Sequence, residues 1–215
     1  MARVKFDEMD KYVTKSSGNW FSLKDDGEVA RVRFLFDSLD DLPIRVHDVQ
    51  IGENYRSVAC LRDYDDPIDK CPLCAAKNNP KVKLFIPLHD CDDDTDKFWQ
   101  RPQSFGTKIA SQFARYKNFP SHLFEIERHG KSGDMKTTYE LFEVDEDNAK
   151  LSDFEVKDAI GTVVLNKTAE EMEYYLDNGE FPEEAKSEDT RETRSSRREE
   201  PVRRRTPASR GNDRF

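Results

Sequence analysis

No apolar run in the 215-residue chain approaches the ~20 residues that cross a bilayer; the longest are pieces such as LFIPL (84–88) and TVVL (162–165). A membrane partner is not expected. The first residues, MARVKFDEMDK, carry charge with no apolar stretch behind it, so a secretory signal is not expected either. Cysteine is scarce, at four residues, too few for a disulfide scaffold. Neither GxxxxGK[ST] nor GxGxxG occurs, which leaves phosphate-loop chemistry without its motif. Apolar residues make up 35% of the chain against 37% charged, below the roughly 45–50% apolar of an average globular domain, so part of the chain should stay unpacked.

The charge is unevenly placed. Residues 183–215, EEAKSEDTRETRSSRREEPVRRRTPASRGNDRF, hold ten Lys or Arg and eight Asp or Glu, about +2, which leaves about −11 of the net −9 for the rest. One Val and one Phe are their only sizeable apolar groups, too few to offset an ordering cost of about 1–2 kcal/mol per residue. This stretch is expected to be a disordered, Arg-rich tail of mixed charge.

Over residues 19–182 the periodicity favours strands. WFSLKDDGEVARVRFLF (20–36) reads as two runs around an Asp-Gly turn, the second placing apolar residues opposite Arg31 and Arg33. Further candidates are 44–51, 55–63, 81–89, 97–102, 123–130, 137–144 and 161–167, with KSGD (131–134) as a hairpin turn. Helical spacing appears over 104–119, where Ile109, Phe113 and Tyr116 recur, and over 168–179, with Thr168 as cap and Gly179 as stop. Many short strands with few helices predict a mainly β protein, an OB-fold barrel rather than a parallel sheet.

CPLC (71–74) presents two thiolates from one tight turn, half of a tetrahedral zinc site. Cys60, Cys91, His47 and His89 are the candidates for the other half. Strands 44–51 and 55–63 join through a short turn at Gly52, so a hairpin can bring His47 and Cys60 together beside the knuckle. The preferred set is His47, Cys60, Cys71 and Cys74, with Cys91 in place of His47 as the alternative. Unliganded thiols and a redox CxxC are the blander readings; no βαβ pattern surrounds the pair. Four protein ligands leave no position for a reacting water, and the His-x-Glu and Pro-Cys-x-x-Cys signature of nucleobase deaminases is not matched. One structural Zn²⁺ and no enzyme activity are expected.

Aromatic residues, 11% of the chain, often stand beside positive charge. Tyr55-Arg56, Trp99 with Arg101, Arg115-Tyr116-Lys117, and Lys136 with Tyr139 combine the π faces and cations that hold single-stranded nucleic acid. With Arg31, Arg33, Arg62, Phe105, Lys108 and Arg128 they form the candidate DNA-binding set. Each alone is as readily a core aromatic or a solvated face.

The order His47-x12-Cys60-x10-Cys71-Pro-Leu-Cys74, a strand KLFIPL, an acidic loop, KFWQRP, then FGTKI opening a helix resembles the zinc-containing single-stranded DNA-binding proteins of tailed bacteriophages, over about residues 20–145. The resemblance implies an OB-fold with an inserted zinc subdomain, here about residues 44–90, and a basic cleft for the strand. It implies His47, Cys60, Cys71 and Cys74 as ligands and the cytoplasm of an infected bacterial host as the setting, in phage replication, recombination and repair. Residues 1–18 are expected as a self-assembly arm for cooperative binding along the strand, and the tail as the attachment for phage replication and recombination proteins. The arm mixes acidic with basic residues, and the tail is Arg-rich where the family's is acidic. Two other classes stay open: a zinc-ribbon interaction module that does not bind DNA, and a zinc-dependent nuclease or hydrolase.

Overall fold

The computed structural model describes residues 18–131, 133–134 and 136–182. The arm expected over 1–18, save its last residue, and the tail expected at 183–215 lie outside the described residues, as does Ser132 of the expected KSGD turn.

In strand β1 (Val29–Phe34) Ala30, Val32 and Phe34 are buried, while Arg31 is exposed and Arg33 half-buried, the period-2 alternation of a pleated strand. Strands β2 (Pro43–Ile51) and β3 (Asn54–Ala59) form the expected hairpin, turning at Gly52, whose φ of +57° suits glycine. Helix α1 (Pro72–Ala75) is a single turn with Pro72 at its start, where a missing N–H costs nothing. Strands β4 (Lys81–Asp90) and β5 (Thr95–Pro102) pair along their length, helix α2 (Gly106–Phe113) follows, and β6 (His122–His129) and β7 (Thr138–Glu146) form a second hairpin. Helix α3 (Ala169–Asn178) begins with a Thr168/Glu171 capping box and stops at Gly179, φ +78°.

Three expectations are corrected. Residues 20–24 do not form a hairpin with β1; they run beside β5, bridging Trp20 to Phe98, because Phe21 and Leu23 are drawn into the core. The helix expected over 104–119 ends at Phe113: Asn118 takes a left-handed φ of +53° ahead of Pro120, and the turn delivers Phe119 into the core. The strand expected over 161–167 is only isolated bridges, such as Val58 with Leu165, since this stretch folds over the sheet with Ala159 and Val164 buried.

The seven antiparallel strands make one sheet, ordered β3-β2-β4-β1-β6-β7, with β5 on the other side of β4. One edge of β4 is shared: residues 81–84 pair with β2 and residues 88–90 with β1. The sheet curls until its β5 and β7 sides meet through side chains, with Trp99 edge-on to Tyr139 at 5.2 Å and the Arg101 guanidinium 4.2 Å from the Tyr139 ring centre. Among the described residues no backbone pairing joins β5 to β7, so the fold is a mainly β, curled but open antiparallel sheet with few helices.

Period-2 alternation assigns the faces. Val82, Leu84, Ile86 and Leu88 of β4 share one face, and their partners Arg45, Pro43, Arg101 and Trp99 lie on it too. Inside the curl this face carries the main core, Phe34, Leu84, Ile86, Ile109, Phe119 and Phe124 among others. At the far end of β2 it carries a second cluster of Val49, Val58, Cys71, Leu73, Cys74, Met172 and Phe181. The opposite face, with Val46, Phe85 and Phe98, is covered by Ala159 and Val164.

Candidate metal centre and the saddle beside it

His47 pairs with Val58 across the hairpin, and the Cys60 N–H donates to the Arg45 carbonyl at 2.9 Å, so Cys60 falls on His47's face just beyond β3. The knuckle closes from above: Cys71 precedes α1, Cys74 lies within it, and the Ala75 N–H bonds the Cys71 carbonyl at 3.0 Å. Cys71 Sγ lies 3.4 Å and Cys74 Sγ 3.7 Å from His47 Nε2; Cys60 Sγ is 3.7 Å from Cys74 Sγ. A tetrahedral ion with metal–sulfur bonds of about 2.3 Å and a metal–nitrogen bond of about 2.0 Å needs donor separations of about 3.5–3.8 Å. The donors, all within 4.8 Å of one another, have the spacing to hold one metal ion.

The surroundings agree with that use. His47 is fully buried; burial lowers its ring below the ordinary histidine range, with the neighbouring Asn78 opposing it in part. Burial, with the neighbouring sulfurs, pushes the Cys60 thiol up to about 11. Burial acts the same way on Cys71, but backbone N–H groups of Leu61, Cys74 and Leu73 outweigh it and bring that thiol below its usual value. His47, Cys71 and Cys74 are buried and Cys60 is half-buried, an arrangement in which a bound cation would stabilise the thiolates.

Cys91 sits at the turn after β4, its Sγ 4.0 Å from the His89 carbonyl, and burial raises its thiol. His89 is bonded to Asp96 at 2.8 Å. Neither belongs to the cluster, so the geometry assembles His47 rather than the alternative Cys91. Helix α3, whose docking no sequence signal indicated, completes the wall: Met172 Sδ is 4.0 Å from Cys71 Sγ, Tyr175 donates to the Gln50 carbonyl at 2.9 Å, and Phe181 stacks on Tyr175.

The candidate DNA-binding residues divide into four groups. Trp99, Tyr139 and Arg128 are buried; Trp99 packs edge-on against Phe21, Phe105 and Tyr139, and Arg128 donates to the carbonyls of Leu23, Gly130 and Lys131, to Thr137 and to the Tyr139 hydroxyl. Trp99 and Arg128 build the wall behind a surface rather than the surface itself, and Tyr139 shows only a small part of its surface there. Arg31 and Arg33, on the outer face, are held by Asp92 and by Asp147 with the Ser121 carbonyl. Tyr55 and Arg56 are exposed near the β2–β3 tip; Arg115 and Lys117 are exposed beyond α2, Lys136 near the start of β7, and Tyr116 packs on His122 and Phe124.

The fourth group comes together. Arg101, Phe105 and Lys108 line an open cavity of about 500 Å³ with Pro102, Ser104, Thr137, Thr138 and Tyr139. Arg62 lines a second, of about 630 Å³, with Pro43, Ile44, Arg45, Ala59, Cys60, Asp63, Tyr64, Val82 and Ile160. The register connects them, because Arg45 faces Val82 and Leu84 faces Arg101 across neighbouring strands. Arg45 and Arg101 thus share one face of the sheet between the metal cluster and the main core; the two cavities beside them form a saddle, whose Arg62 end also takes in Ile44, Ala59 and Ile160 from the opposite face. Arg45, Val82 and Tyr64 were missed by sequence reasoning. Arg45 was legible, two residues before His47 in a strand and so on the same face; Tyr64, 87% exposed, gave no periodic signal.

No helix among the described residues is long and apolar enough to cross a membrane. In comparisons with protein families, curated proteins and solved structures, nothing matches the chain.

Proposed function

We propose that this protein binds single-stranded DNA, without sequence preference, along the saddle between the metal cluster and the main core. The observation that carries the reading is the saddle's chemistry: Arg45 and Arg62 stand beside Tyr64 in one cavity, Arg101 and Lys108 beside Phe105 in the other, and the strand register puts Arg45 and Arg101 on the same face of the sheet. Cations take the phosphates, and the exposed Tyr64 and half-buried Phe105 take bases that a duplex keeps stacked and out of reach. A chain of net charge −9 binds DNA in this way because screening limits each surface charge to about 8–10 Å at physiological salt.

On this reading the curled sheet is an OB-type barrel, and the His47, Cys60, Cys71 and Cys74 cluster holds one structural Zn²⁺. The ion supplies a cross-link between the β2–β3 hairpin and the knuckle, which fixes the loop carrying Arg62 and Tyr64. The buried Trp99, Arg128 and Tyr139 set the position of Arg101. Copies line up along the strand, and the tail serves replication and recombination proteins in the cytoplasm of an infected bacterium. Preferential binding of single strands lowers duplex melting by mass action.

Fluorescence anisotropy of a labelled oligo-dT, compared with a duplex of equal length, tests the reading. Tight single-strand binding with weak duplex binding is expected. Equal binding of both, or none at low salt, removes it.

A further inference from the structure

The cavity at Arg101 differs from the rest of the saddle. The chain has 44 Asp and Glu residues, yet none lines this cavity, whereas Asp63 stands in the one beside it. Its polar groups are the Arg101 guanidinium, the Lys108 ammonium and the hydroxyls of Ser104, Thr137 and Thr138. Arg101 has no carboxylate partner among the described residues, and its Nε is buried without a hydrogen-bond partner. Three rings hold it instead, with centres 4.2 Å (Tyr139), 5.2 Å (Trp99) and 5.3 Å (Phe105) from the guanidinium carbon. Packing a cation among rings offsets only part of its desolvation cost, so Arg101 stands without the counter-charge that an anion would supply.

Lys108 reinforces the arrangement. Its ammonium is bonded to the Tyr139 carbonyl on the open side of β7, which places a second positive charge at the same wall. The Arg128 guanidinium lies behind, 5.8 Å from the Tyr139 ring centre. Three cations surround one tyrosine. A guanidinium fork, an ammonium and the hydroxyls of Ser104 and Thr138 match the tetrahedral oxygens of a phosphate, the Thr137 hydroxyl being held by Arg128 and the Asp134 carbonyl, and the half-buried Phe105 offers a ring on which an aromatic base can lie. The volume of about 500 Å³ falls in the range of small-molecule sites.

We infer that this cavity is a socket for one nucleotide, with its phosphate on Arg101 and Lys108 and its base against Phe105. The inference rests on the single-strand reading and goes beyond it: the strand is gripped at one defined point rather than evenly along the saddle. A nucleotide has two sources, an internal residue of the strand and a free nucleoside monophosphate, which share the same phosphate and base.

Trp99 is edge-on to Phe105 at 5.0 Å and lies behind Arg101, so its emission reports occupancy of the socket. In a Trp20→Phe background, where Trp99 is the only tryptophan, the protein is titrated with thymidine 5′-monophosphate, with thymidine and with oligo-dT, each read by tryptophan emission and, for the oligonucleotide, by anisotropy. Oligo-dT is expected to change the emission, thymidine at equal concentration is not, and a response to the monophosphate identifies the free nucleotide as a second ligand. Arg101→Lys, which keeps the charge and loses the planar fork, is expected to weaken oligo-dT at least tenfold and abolish the emission change. Arg101→Ala is expected to do the same, with circular dichroism confirming its fold. Oligo-dT that binds by anisotropy with silent Trp99 and unchanged affinity in Arg101→Lys overturns the socket and leaves single-strand binding intact. No oligo-dT binding at all overturns both.

Discussion

Cys71 Sγ, 3.4 Å from His47 Nε2, occupies one corner of a four-donor cluster, while Cys91 lies outside it. Cys71→Ser is therefore expected to lose the bound metal and several kcal/mol of stability, about 10 °C or more in Tm, whereas Cys91→Ser keeps one metal per chain and its Tm. Elemental analysis beside a thermal scan checks both. Burial opposes ionisation of Asp48, but Lys83 and Lys81 overcome it and hold the carboxyl below the ordinary carboxylate range. The folded-state value is the lower one, so the stabilisation is complete above about pH 4 and is lost as pH falls through the folded-state value. Urea midpoints of Asp48→Asn and wild type should differ at pH 6 and draw together as the pH falls below about 4. At this scale the four clustered donors were legible because thiols at fixed spacing have few alternatives. The roles of Trp99 and Tyr139 were not, since a ring beside a positive charge reads the same whether it faces a base or, as here, the core.

Among the elements, the strands were the most legible, because their alternating residues carry the face assignment directly. The end of α2 was not, because Pro120 and the left-handed Asn118 stop a helix whose apolar spacing continues to Tyr116. Residues 161–167 look like a strand by composition, but β3 accepts them only at Leu165. Helix α3 was read correctly and its docking was invisible, because contact with the knuckle spans about a hundred residues of sequence. Met172 is fully buried against Cys71, so Met172→Ala should cost about 2–5 kcal/mol and speed metal release to a chelator. Tyr175→Phe, which removes a hydrogen bond to Gln50, should cost about 1 kcal/mol. A colourimetric chelator assay with stopped-flow mixing separates the two, and equal release rates in Met172→Ala and wild type would show that α3 does not brace the metal.

For the whole molecule, the arrangement that matters is two apolar clusters on one face of a continuous sheet with a basic gap between them. The sequence pattern showed the donors, the strands and some of the cations, but only the β2–β4–β5 register sets Arg45 and Arg101 on one face, and the Arg45 guanidinium, donating to the Arg62 carbonyl, brings Arg62 beside them. Their opposites, Arg31 and Arg33 on the outer face, are already neutralised by Asp92 and Asp147. Removing those two outer charges should leave single-strand affinity within about twofold, since both are already paired with carboxylates and sit off the path. The most direct measurement is the salt dependence of oligo-dT binding for wild type and for the double variant Arg45→Glu, Arg62→Glu, with bound metal confirmed in each. Four saddle cations predict a slope of log affinity against log salt of about −3, and the double variant should lose about half of it along with at least tenfold in affinity. A wild-type slope near zero, or a variant indistinguishable from wild type, would place any strand elsewhere and contradict the account.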